Sequence, residues 1–229
     1  MNRSNGFGLK SCIASVVAIA TLAVSGLAMA QSADRENRWE TTLGVGFNSS
    51  TTWDFKGGTT ADLKSDEGFL LGFSYHYTDQ LEFGGNFEFI NQSYEANIAS
   101  GTTPGLVFPV KGGADTFRVM GNATYNFLPG KFTPFVTGAL GWTWMDTNIA
   151  TSPPQTGCWW DPWWGYICTT YQNTKTINGF TYELGAGLRY DINDRFALKA
   201  SYRMTWTDIS NAQGTPDQDG FVLSFGFKY

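Results

Sequence analysis

The sequence predicts an all-β fold: an eight-stranded antiparallel up-and-down transmembrane β-barrel. Three observations carry this expectation. Eight segments alternate large apolar side chains with small or polar ones. The connections between them alternate between tight turns and long polar stretches. The chain runs out on an amphipathic strand, Phe221-Val222-Leu223-Ser224-Phe225-Gly226-Phe227-Lys228-Tyr229. Successive strand residues face opposite sides, so Phe221, Leu223, Phe225, Phe227 and Tyr229 form one greasy face. A soluble protein seldom leaves such a strand as a bare end, because an unpaired edge invites aggregation. A closed barrel has no edge, and in a membrane its greasy face belongs outside.

The chain starts with Arg3 and Lys10, and no acidic residue precedes Asp34. From Cys12 to Ala23 it is almost entirely apolar or small, and Ala28-Met29-Ala30 supplies the small-x-small pattern that a signal peptidase reads. Residues 1–30 are therefore expected to be a cleaved signal peptide, with residues 31–229 forming the barrel domain. The apolar run is too short, and too broken by Ser15, Thr21, Ser25 and Gly26, for a membrane-spanning helix. Removing it takes Arg3 and Lys10 from the 15 Lys and Arg, leaving 13 against 20 Asp and Glu, or −7. No basic cluster remains, so nucleic acid is not an expected partner. No stretch after residue 30 can span a bilayer as a helix, so strands must do it.

The first expected strand carries Trp39, Thr41, Leu43, Val45 and Phe47, and the second Phe69, Leu71, Phe73, Tyr75 and Tyr77. Leu81, Phe83, Phe87 and Phe89 mark the third; Phe117, Val119, Ala123, Tyr125 and Phe127 mark the fourth. The fifth is less regular, with Val136, Leu140, Trp142 and Trp144. Phe180 to Tyr190 makes the sixth, Phe196 to Trp206 the seventh, and Phe221 to Tyr229 the eighth. Tight turns follow at 78–80, 128–131 and 192–194, rich in Asp, Asn, Pro and Gly. Long connections lie near 48–67, 96–114, 147–177 and 208–218, which would face outside the cell.

Size decides which face is inward. The greasy face offers about five side chains per strand, many aromatic, whereas an eight-stranded barrel holds only modest side chains or one small ligand. The greasy face therefore meets lipid. The other face includes Glu40, Glu88, Arg118, Glu183, Arg189, Lys199 and Arg203. Counted from the tight turns, Glu88, Arg118, Glu183 and Arg203 lie at similar height. Glu183 and Arg203 are equidistant from Asn193, which predicts that they sit opposite one another across a hairpin. The expectation is an ion-pair network crossing the lumen, in which breaking one pair costs about 3–5 kcal/mol. Leu70, Phe135 and Met145 are the large apolar side chains expected to point inward.

The third long connection holds Cys158-Trp159-Trp160-Asp161-Pro162-Trp163-Trp164-Gly165-Tyr166-Ile167-Cys168. Two nearby cysteines in an exported chain predict a disulfide, worth roughly 2–3 kcal/mol for so short a loop. Trp159, Trp160, Trp163, Trp164 and Tyr166 are candidates for a surface-binding loop, since such residues dominate binding hot spots. An extracellular protein or glycan, or lipopolysaccharide, would suit them; a cap over the barrel mouth is the alternative. No catalytic, cofactor-binding or metal-binding constellation stands out. His76 lacks a serine and an acidic orienter at hydrolase spacing, and no Cys or His spacing suits a metal.

With its signal, eight alternating segments and terminal Phe221–Tyr229 run, the chain resembles the small outer-membrane β-barrel superfamily of Gram-negative bacteria. That superfamily includes the barrel of outer membrane protein A and outer membrane proteins X and W. The resemblance implies location in the outer membrane and contact with its lipid and lipopolysaccharide. It also implies that Phe221, Leu223, Phe225, Phe227 and Tyr229 serve as an assembly signal for the barrel-assembly machinery. Two functions follow as expectations: a narrow closed barrel acting through its outer loops, or a W-type channel for small hydrophobic molecules.

Overall fold

The computed structural model describes residues 34–99, 107–210 and 212–229; the expected signal segment lies outside them. In chain order the strands are β1 (Arg38–Asn48), β2 (Thr51–Asp54), β3 (Thr60–Leu63), β4 (Asp66–His76), β5 (Leu81–Ala99) and β6 (Val107–Asn126). They continue as β7 (Phe132–Ala150), β8 (Gln155–Asp161), β9 (Gly165–Tyr171), β10 (Thr174–Asp191), β11 (Phe196–Ile209) and β12 (Asp217–Lys228). Eight close into an antiparallel ring in the order β5-β4-β1-β12-β11-β10-β7-β6, with β6 returning to β5. The eight predicted segments are these eight strands. Closure by β1 on β12 runs from Glu40↔Lys228 to Asn48↔Gly220, and Tyr229 and Trp39 exchange backbone hydrogen bonds at its end.

The ring is inside out relative to a soluble core. Its large apolar side chains, including Leu43, Phe73, Phe87, Leu140, Leu184, Tyr202, Leu223 and Phe225, are exposed outward. Its buried side chains are mainly Glu, Arg, Lys, Thr and Asn. Only a lipid surround stabilises that arrangement. Aromatic rings gather in two bands. Toward the tight turns, Trp39 packs on Tyr75 at 5.2 Å and Tyr125 on Phe127 at 5.3 Å. Toward the long connections, Phe89 packs on Phe117 at 4.9 Å and Phe117 on Trp144 at 5.8 Å. Phe117 and Tyr125 are eight residues apart on one tilted strand, which separates the bands by roughly 20 Å, close to the height of an outer-membrane apolar belt.

Three of the expected long connections are more ordered than their composition suggests. The described parts of 96–114, residues 96–99 and 107–114, are strand: β5 and β6 stay paired as far as Ala99↔Val107, well past the upper aromatic band. The stretch 48–67 contains the hairpin β2–β3, whose β3 edge adds to the extended end of β5 from Leu63↔Tyr94 to Thr60↔Asn97. On its other side that hairpin meets the 208–218 connection through the bridge Phe55↔Ala212. The stretch 147–177 holds β8–β9, a hairpin whose strands pair only with each other. Once a chain leaves the bilayer its backbone N–H and C=O groups still need partners, and pairing neighbouring strands supplies them.

Candidate functional site

The lumen is crossed at mid-height by four charges. Glu88 on β5 and Arg118 on β6 are direct cross-strand partners, joined at 2.7 Å. The other oxygen of Glu88 meets Arg203 Nη2 of β11 at 2.6 Å. β5 and β11 are four strands apart either way around the ring, so this contact spans the full bore. Arg203 continues to Glu183 of β10 at 3.2 Å. Glu183 and Arg203 are not directly opposite, because the hairpin register pairs Glu183 with Thr205 and Arg203 with Gly185. The ion pair runs diagonally, and the Thr205 hydroxyl donates to Glu183 at 3.1 Å. Gly46 on β1 leaves room for the crossing: a Cβ there would stand 3.3 Å from Glu88 Oε1 and 3.4 Å from Arg203 Nη2.

A second layer fills the lumen toward the tight turns. Glu40 on β1 is held by Arg189 at 2.6 Å, by Lys199 at 2.7 Å and by His76 Nε2 at 3.0 Å. Lys199 also meets Glu82 at 3.0 Å, and Arg189 and Lys228 both bind Asp191, at 3.0 and 2.7 Å. Arg35, from the segment before β1, closes the end. It is wholly buried, with Nε donating to Asp191 at 2.8 Å and the guanidinium donating to the carbonyls of Asp79, Leu128 and Gly130. One side chain thus ties two tight turns to the base of β10. Glu40, His76 and Glu82 bring three ligand-type atoms within 4.8 Å of each other. Their carboxylates are already taken by Arg189 and Lys199, so the cluster is internal charge pairing rather than a place for a cation. Between the layers lies a chamber of about 90 Å³, lined by Asn86, Asn122, Phe135, Ser201 and Val222 among others. That is far below the several hundred Å³ of a small-molecule site.

The end bearing the long connections is built differently. Trp53 and Leu63 of the β2–β3 hairpin pack with Tyr94 and Ala96 of β5, Ala114 of β6, Met145 of β7 and Ile209 of β11. β11 stands four strands from β5 in the ring, so this cluster gathers around the mouth from opposite sides. Leu70, Phe135 and Met145 do point inward, as expected, but they are not alone: Ile90, Met120 and Val222 are buried inward as well. The apolar ring high in the mouth comes mostly from residues that composition had assigned to loops.

The β8–β9 hairpin projects separately. Cys158 and Cys168 are cross-strand partners and are joined as a disulfide. At its tip the Asp161 carboxylate accepts the backbone N–H of Trp163 and of Trp164, and Gly165 turns the chain at φ 76°. That geometry pushes Trp163 and Trp164 outward, to 83% and 81% exposure. Trp159, Trp160 and Tyr166 are exposed too. Trp53 and Leu63 of β2–β3, and not these exposed rings, belong to the buried apolar cluster at the mouth.

A family model for the outer membrane protein beta-barrel domain matches residues 18–229. The chain belongs to that family. It is an outer-membrane protein. Neisserial surface protein A shares the fold, with TM-score 0.53 and 10% identity over 85% of this chain and 100% of that one. Ail, the attachment invasion locus protein of Yersinia pestis, solved with the heparin analogue sucrose octasulfate, gives TM-score 0.49 and 14% identity, covering 85% and 99%. OprG from Pseudomonas aeruginosa gives 0.47 and 16%, covering 85% and 97%. No curated protein sequence matches the chain.

Several residues of the outer-membrane barrel's lumen were within reach of simple alternation. Glu82 shares a face with Glu88, Asp191 with Glu183 and Arg189, and Lys228 with Val222 and Ser224. Arg35 precedes every strand, and no sequence periodicity points to it.

Proposed function

We propose that this outer-membrane barrel is closed through its lumen and acts at its extracellular end, in surface recognition, adhesion or envelope integrity. The observation that carries this reading is the 2.6 Å contact between Glu88 and Arg203 on opposite strands of the ring. Beneath it the Glu40–Arg189–Lys199 layer and Arg35 fill what bore remains. With no aqueous path, the parts able to meet other molecules are the outer wall and the extracellular connections. Trp160, Trp163, Trp164 and Tyr166 stand on a disulfide-braced hairpin, which supports contact with an extracellular protein or glycan; rigid, exposed aromatics are what such contacts use. The reading is of a non-catalytic protein. The segment 1–30 is removed on export, and the outward face Phe221, Leu223, Phe225, Phe227, Tyr229 presents the final strand to the assembly machinery. The outer wall lies among lipid and lipopolysaccharide.

The apolar mouth favours a second reading, a W-type passage for small hydrophobic molecules. Such a passage would have to leave through the wall above the ion-pair layer. Planar bilayers containing the refolded barrel separate an open lumen from a closed one. Silence of the natural protein, with channel openings in the Glu183→Ala/Arg203→Ala double variant, fits the closed barrel; steady conductance of the natural protein rejects it.

A further inference from the structure

The apolar mouth is not filled like a core. Inside the cluster around Trp53 lies a cavity of about 430 Å³, walled by Leu63, Tyr94, Ala96, Met145 and Ile177. Its volume falls in the range of sites that take small molecules. Trp53 itself is buried to 6% exposure, yet its indole N–H has no hydrogen-bond partner. A buried Trp N–H ordinarily finds one, and a native orphan asks for an explanation. Two lysines, Lys56 and Lys175, also line this cavity and reach solvent at its rim. Their neighbours Lys64 and Lys111 are both neutralised by Glu95, at 3.8 and 3.0 Å. Among the described residues Lys56 and Lys175 have no such carboxylate. An apolar slot with two unpaired ammonium groups at its rim is the complement of one molecule type: a hydrocarbon chain with an anionic head.

We propose that the mouth binds a free single-chain carboxylate, a medium-chain fatty acid, with its chain in the cavity and its head between Lys56 and Lys175. The chain buries apolar surface that the mouth otherwise leaves in contact with water. The carboxylate accepts charge-assisted hydrogen bonds from the two lysines, which are about twice as strong as neutral ones. An uncharged hydrocarbon would leave those lysines unused, and a cationic amphiphile would be repelled by them. The site is a cup rather than a conduit, because the Glu88–Arg203 contact lies six residues below Tyr94 on β5. The cup shape rests on the closed lumen proposed above, whereas carboxylate binding at the mouth is read separately from conductance.

Equilibrium dialysis of labelled dodecanoate against the refolded barrel in phosphatidylcholine nanodiscs, with empty nanodiscs as background, tests it. The expected result is saturable binding of one dodecanoate per barrel, with dodecyltrimethylammonium at background. Lys56→Gln/Lys175→Gln, at two exposed positions, should weaken dodecanoate about tenfold while leaving dodecanol unchanged. Ala96→Leu, which intrudes on the cavity, should weaken both. Dodecanoate at background, binding equal to the cationic amphiphile, or binding indifferent to loss of the two lysines each overturns the proposal. Saturable binding of labelled lipopolysaccharide with dodecanoate at background would also reject it, in favour of a bound lipid acyl chain.

Discussion

Below Gln92 the lumen of this barrel is packed with paired buried charges; above it the mouth gathers apolar side chains around a cavity. Each half inverts the usual arrangement, for a different reason. In the lumen, Glu88, Arg118, Glu183 and Arg203 are buried, and each is held by a partner on another strand. They are tolerable there only because each is paired. In the mouth, Trp53 and Leu63 are brought inward by a hairpin that belongs to no barrel strand. The lumen charges are paired with one another around a chamber of only about 90 Å³, although single atoms such as Arg203 Nε, His76 Nδ1 and Asn86 Oδ1 have no hydrogen-bond partner. The mouth leaves a cavity, an unpartnered indole N–H and lysines without carboxylates. The difference in room, about 430 Å³ against about 90 Å³, is what puts binding chemistry at the mouth.

The largest effect that breaks this contrast is a half-broken network. Glu88→Ala strands Arg118 and takes one of the two carboxylates from Arg203, and should cost about 3–5 kcal/mol. Urea unfolding in micelles reads that loss. Replacing all four charges at once with Leu and Met of similar bulk should cost far less, because no unpaired ion is left behind. If the fourfold variant were the less stable of the two, the lumen charges would be doing more than satisfying one another.

A smaller effect separates the mouth from the barrel beneath it. Cys158→Ser/Cys168→Ser removes a closure worth roughly 2–3 kcal/mol to the hairpin. Because β8 and β9 pair only with each other, the barrel's unfolding midpoint should not move. Hydrogen exchange should speed up between Gln155 and Tyr171 and nowhere else. A shift in the barrel midpoint would show that the hairpin braces the wall.

The smallest effect lies at the surface. The hydrogen bond from Lys111 and the charge of Lys64 hold the Glu95 carboxyl below its ordinary range. A carboxyl lowered on folding stabilises the folded state above its unfolded pKa, and that contribution fades as pH falls through the lowered value. Glu95→Gln should therefore cost slightly at neutral pH and low salt, and nothing in acid or high salt. A loss as large as that of Glu88→Ala would contradict the division between exposed and buried pairs.

The eight barrel strands were legible because each carries four or more alternating residues, and lipid rewards strict period-two patterning on its side of the wall. Glu88, Arg118, Glu183 and Arg203 were legible as inward charges by the same parity. Their exact pairing was not. Counting back from Asn193 placed Glu183 opposite Arg203, whereas the turn shifts the register by two and leaves Thr205 opposite. The cross-lumen contact of Glu88 with Arg203 depends on which strands face each other after closure, which no local pattern encodes. Trp53 and Leu63 were missed because β2 and β3 are four residues each, too short for alternation to stand out in a polar stretch. The exposed tryptophans of Cys158–Cys168 were conspicuous by composition, but composition does not reveal that Trp53 and Leu63 join the buried cluster while they stay exposed.

The most direct test of the closed lumen is a double-mutant cycle on Glu88→Ala and Arg203→Ala, read as unfolding free energy in micelles. Residues of neighbouring or distant strands that merely share a polar lumen would give additive losses. A direct contact across the bore predicts coupling of about 1–3 kcal/mol, with the double variant losing much less than the two single variants together. Additive losses would mean that the two side chains do not meet across the barrel, and the lumen would have to be regarded as open.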